Sequence, residues 1–182
     1  MKTVFSSNSE LSKVWATQTQ QIGRASNMFF NGNIIYSYGH HYQIAHFIDA
    51  PGGQKVCFIN SNGFSNSTAK HTNHVWRSIP NDILTFYVPF IIDGGYWYKD
   101  QYIKIEHLPT IVNKMMENID KLISKQLTAK TNFHYFGEAY NQYAKVLHIC
   151  ELFNISNPSI PQKWFEAEKK SNLISYKMAS VN

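Results

Sequence analysis

The chain has 182 residues, 43% hydrophobic and 15% aromatic, with 17 Lys and Arg against 12 Asp and Glu, a formal charge of +5. That length suits one domain with a helical extension and is enough to bury a core. No stretch approaches the roughly 20 apolar residues of a membrane span, and the N-terminus lacks the apolar run of a secretory signal.

The expected fold class is α+β. A first helix begins near Ser7, where Ser7 and Glu10 have capping-box spacing and Leu11, Val14, Trp15 and Gln18 recur on one face; Gly23 is its expected stop. Met28 to Phe30 and Ile34 to Tyr38, joined through Asn31-Gly32, read as a hairpin. Gly39-His40-His41 turns into a strand over 42–48, and Pro51-Gly52-Gly53 into another over 55–60, which completes a four-stranded antiparallel meander. Ser65 to Thr68 caps a short helix that stops before Pro80. Residues 83–90 and 96–105 are expected to form one more strand pair, and three amphipathic helices fill the remainder, the last starting at Pro161. The expected organisation is a core domain over 1–107 and a helical cap over 108–182 packed on it. Cys57 and Cys150 lie inside apolar segments, as thiols of a reducing, cytoplasmic compartment do.

The charge is uneven along the chain. Residues 1–80 hold six Lys and Arg and five His against only Glu10 and Asp49, while residues 81–182 are nearly balanced. Such a surface favours an anionic partner and disfavours chemistry built on paired carboxylates. At the start of the short helix, Ser67, Thr68 and Lys70 would surround a phosphate held by free backbone N–H groups, with Arg24 as a fork-shaped donor. The plainer alternative is an ordinary cap and a solvated lysine. Alternation places Tyr36 and Tyr38 on one sheet face, either as a platform on which bases stack or as rings at the edge of the core. Trp97 is a stacking anchor if exposed, and edge-strand packing otherwise.

His71 and His74 are three apart on a helix, with His40, His41 and His46 nearby in sequence, but neither Cys nor sufficient carboxylate accompanies them, so neither a metal nor another cofactor is expected. A metal-free ribonuclease fits the inventory better, with His41 and His71 as base and acid and Lys70 and Arg24 steadying the phosphorane.

The order Leu11…Trp15-Ala16-x-Gln18-x-Gln20…Gly23-Arg24…Asn27-x-Phe29-Phe30-x-Gly32…Ile35-Tyr36-Ser37-Tyr38-Gly39-x-His41-Tyr42-x-Ile44-Ala45 resembles a domain of unknown function found in phage and plasmid proteins. The likeness covers about the first 80 residues and continues through Ser65, Thr68, Lys70 and His71, with Tyr42 where Phe is expected. It implies a mobile-element origin, hence the cytoplasm of a host cell, and carries no activity.

The leading expectation is therefore a small protein that binds a phosphate-bearing ligand, nucleic acid first, without catalysis. The alternatives are the His41/His71 ribonuclease and a host-directed or virion-associated protein-interaction module. The first two require Arg24, Lys70 and the loop histidines to converge on one anion.

Overall fold

The computed structural model describes residues 2–94, 99–130 and 134–179, with side chains through Asn172. Its compact units are residues 1–111 and 112–182. Trp97 and its neighbours Tyr96 and Tyr98 lie outside the described residues.

The first unit is α+β. Helix α1 (Asn8–Ala16) is capped by Ser7, whose Oγ accepts the Glu10 N–H at 3.1 Å. The Glu10 carboxylate reaches back one residue further than a capping box requires, accepting from the Ser6 N–H at 3.0 Å and the Ser6 hydroxyl at 2.7 Å. Those bonds and the Lys2 ammonium at 2.6 Å hold its carboxyl down at about 2, the Lys2 contact contributing most. The helix ends well before Gly23. Thr17 is its C-cap, and Gln18 adopts the left-handed conformation (φ 53°) expected of a glycine, its side chain amide donating to the Trp15 carbonyl at 2.7 Å. Gly23 belongs instead to a strand that the helical pattern conceals.

That strand is β1 (Ile22–Ala25), and it opens a six-stranded sheet in the order β1-β2-β3-β4-β5-β6, with β2 (Met28–Asn31), β3 (Ile34–Ser37), β4 (Gln43–Asp49), β5 (Lys55–Asn60) and β6 (Leu84–Val88). β1 to β5 are antiparallel, so the expected meander is present with one added strand. The hairpin between β2 and β3 turns on Gly32 (φ 56°) and Asn33, one residue later than the Asn-Gly reading. Helix α2 (Asn66–Trp76) then crosses over, and β6 joins β5 in parallel, Val56 opposite Leu84. Residues 83–90 thus complete this sheet, while β7 (Ile91–Asp93) and β8 (Asp100–Tyr102) make a separate antiparallel pair.

Pleating sorts the sheet into two faces. Gly23, Ala25, Met28, Phe30, Ile35, Phe47, Cys57 and Ile59 face α1 and α2, and with Leu11, Trp15 and Val75 they form the main core. Trp15 packs on Phe47 with ring centroids 4.6 Å apart. Each such fully buried side chain contributes roughly 1.5–3 kcal/mol. The other face presents Ile22, Arg24, Phe29, Tyr36, His46 and Phe58. Residues 101–103 run along its β4 end: the Gln101 N–H donates to the His41 carbonyl at 2.7 Å, and the His46 Nδ1–H donates to that of Ile103 at 3.1 Å. Beside β1 to β3 this face is exposed at Ile22, Arg24 and Asn31.

The second unit consists of the greater part of α3 (Leu108–Thr128), α4 (Tyr135–Leu152) and α5 (Trp164–Ala179). Trp164, three residues beyond the expected start, packs edge-on to Phe136 at 5.0 Å. Among the described residues no helix is long and apolar enough to cross a membrane. Cys57 and Cys150 are buried and free, and burial pushes both thiols up in pKa.

Candidate functional site

The exposed face of β1 to β3 carries a shallow cleft of about 450 Å³. Val4, Ile22 and Phe29 supply apolar walls, and Arg24, His40, Thr3 and Asn31 polar ones. Residues 3–5 fix its edge: the Arg24 N–H donates to the Thr3 carbonyl at 2.9 Å, and the Phe5 N–H to that of Arg24 at 2.9 Å. Arg24 is exposed and, among the described residues, its guanidinium has no acidic partner. Phe29 is stacked on Tyr36 (4.8 Å, 12°), and the exposed His40 stands edge-on to both, 4.8 and 4.9 Å away. Tyr36 is 7% exposed, so it supports Phe29 and His40 from beneath rather than offering a face of its own; its burial raises its hydroxyl pKa.

Tyr38 does not share that face. A register shift after Ile35 and a left-handed backbone at Tyr38 (φ 62°) turn its ring to the helical side, 5.5 Å from His71. His71 is buried, and its Nδ1 shares a 2.7 Å hydrogen bond with the equally buried Ser37 hydroxyl. Burial, helped by the neighbouring His74, lowers the pKa of His71. A general acid must carry a proton and face its leaving group. His71 is placed for neither, and the His41 ring is 6.1 Å from that of Phe64.

Beside α2 a second groove, of about 330 Å³, opens where β5 ends. Tyr42, Asn60, Asn62, Phe64, Thr72 and Tyr87 are among its walls, and no carboxylate is. The Tyr42 hydroxyl donates to the Asn62 carbonyl at 2.8 Å, and burial pushes its pKa up to about 12. Thr68 lines this groove but is 2% exposed, its hydroxyl 2.9 Å from that of Ser65, the helix cap. At about 100° per residue, Thr68, His71 and Val75 fall on the sheet-facing side of α2, Ser67 on its flank and Lys70 on the far side, the last two exposed. The phosphate cradle expected of Ser67, Thr68 and Lys70 is therefore split: the Thr68 hydroxyl is buried, while Ser67 and Lys70 are exposed at different angles round the helix.

The eight residues singled out from the sequence are thus dispersed. Arg24 and Tyr36 belong to the open sheet face, Tyr38 and His71 meet on the helical side, His41 lies by Phe64, and Lys70 points to solvent. Arg24 and Lys70, on opposite sides of the sheet, do not converge on one anion. Phe29 and His40 complete the cleft and were missed as site residues; the period-2 pattern that pairs Phe29 with Tyr36 was the available signal. Among the described residues no group of three or more His, Cys, Asp or Glu is placed to hold a metal ion. Compared with protein-family models, curated proteins and solved structures, the chain matches none.

Proposed function

We propose that this protein binds single-stranded nucleic acid on the exposed face of β1 to β3, a phosphate held by Arg24 and a base stacked on Phe29 and His40. The observation that carries the reading is an exposed guanidinium that has no acidic partner among the described residues and stands beside aromatic rings on an exposed part of the sheet. An unpaired Arg gains most from a bidentate phosphate, and rings on a bare sheet take bases of any sequence. The cleft is shallow and open, which suits a polymer better than a small molecule that an enclosed pocket would bury.

Fluorescence anisotropy with a labelled single-stranded oligonucleotide tests this. Arg24→Ala is expected to weaken binding about ten-fold, the worth of a charge-assisted contact. Equal affinity of the variant and the parent, or none in either, removes the proposal. A second reading, a protein-interaction module, is favoured by Tyr140 (60% exposed) and Phe165 (68% exposed) in the helical unit. Tyr140→Ser and Phe165→Ser would then abolish capture of a protein partner that survives nuclease treatment, and leave oligonucleotide affinity unchanged.

A further inference from the structure

The turn between β3 and β4 displays its side chains to both faces of the sheet. His40 lies against Phe29 and Tyr36 on the open side, while Tyr38 and His41 lie on the side of His71 and Phe64. Tyr38 is a non-glycine residue in the left-handed region (φ 62°), pinned there by its N–H donating to the Asn27 carbonyl at 2.7 Å. Asn or Gly would hold that backbone at lower cost. A tyrosine kept there with 53% of its surface still exposed beside His71 is strain with little packing return, the circumstance in which a functional reason is sought. Phe64, 57% exposed, projects from the loop after β5 at the same end of the sheet, and the acid-free groove opens beside it.

We infer that the bound strand continues from the Arg24 cleft over the β3–β4 turn, stacking successive bases on Tyr38 and Phe64 before entering the amide-lined groove. This rests on the function proposed above and extends its footprint. From β1 to β5 the sheet end is about 19 Å wide at about 4.8 Å per strand, which a strand of several nucleotides can cover. His40 joins the two halves, because it belongs to both the cleft and the turn.

The test compares oligodeoxythymidylates of about 4 and about 16 nucleotides, the limits for a single-domain site. Tyr38→Asn keeps a residue tolerant of the left-handed backbone, and Phe64→Ala alters an exposed ring, so both variants are expected to fold; thermal melts check this. Each should weaken the long ligand about ten-fold, as loss of one stacked base does, and leave the short ligand unchanged. Arg24→Ala should weaken both. If Tyr38→Asn and Phe64→Ala leave the long ligand unaffected while Arg24→Ala still weakens it, the footprint ends at the cleft, and this inference falls while the function stands. If no length binds, both fall together.

Discussion

Gly23 shows how tightly the main core is closed at the edge of the sheet. A Cβ there would come within 2.5 Å of Phe30 Cε1 and 2.8 Å of Phe5 Cε2, two rings that are themselves buried. Neither can withdraw without opening the core or loosening residues 3–5, which form the rim of the Arg24 cleft. Gly23→Ala is therefore expected to destabilise the protein by about 1–3 kcal/mol, the usual cost of overpacking, as read by chemical denaturation. A change under half a kilocalorie would mean that Phe5 is not held as described. In the sequence this glycine resembles a helix stop, because Leu11 to Gln18 reads as a helix and glycine commonly ends one. What decides otherwise is Gln18, whose left-handed backbone and side-chain bond to the Trp15 carbonyl finish the helix early, and no sequence pattern marks Gln for that role.

Between elements, the Ser37–His71 hydrogen bond ties β3 to α2 across the core. His71 and His46 both have pKa values lowered by burial, so near neutral pH both are neutral in the folded state. The unfolded chain takes up their protons from about pH 6.5 downward, while the folded chain resists until a lower pH. More protons bound by the unfolded state means stability that falls with falling pH, so the loss begins near 6.5 and continues down to the lowered folded values. The melting temperature should therefore drop between pH 7.5 and 5.5, and the drop should be shallower in His71→Gln. An identical pH slope in the variant would show that His71 does not titrate with unfolding. The elements themselves were legible where the signal is local: the Ser7 cap, the alternation of β2 to β5, the helix after Ser65. The parallel union of β6 with β5 was not, because residues 83–90 carry the same strand pattern whichever neighbour they choose, and pairing over a helical crossover is decided by the packing of α2.

At the scale of the whole molecule, charge is distributed differently from what the composition of the first 80 residues implies. Both of their carboxylates are engaged, Glu10 by Lys2 at 2.6 Å and Asp49 by Lys55 at 3.4 Å, which leaves Lys13, Arg24, Lys70 and Arg77. These stand on α1, on the open sheet face, on the outer side of α2 and at its C-cap. A basic count thus becomes four separated charges. The dispersal was invisible in the sequence because a one-residue change of parity on a strand, or 100° on a helix, reverses a side chain without altering composition. It also has a measurable consequence. For single strands the slope of log affinity against log salt is roughly −0.7 per neutralised phosphate. A ligand centred on Arg24 should give a slope of about −0.7 to −1.4, one or two phosphates, whereas four cations gathered on one patch would give about −2.8. Arg24→Gln should make the slope shallower by about 0.7, and Lys13→Gln or Lys70→Gln should leave it unchanged, since neither residue lines the Arg24 cleft or the groove beside α2. A steep slope lowered equally by all three substitutions would mean that the strand encircles the unit rather than lying on one face and crossing one end of it.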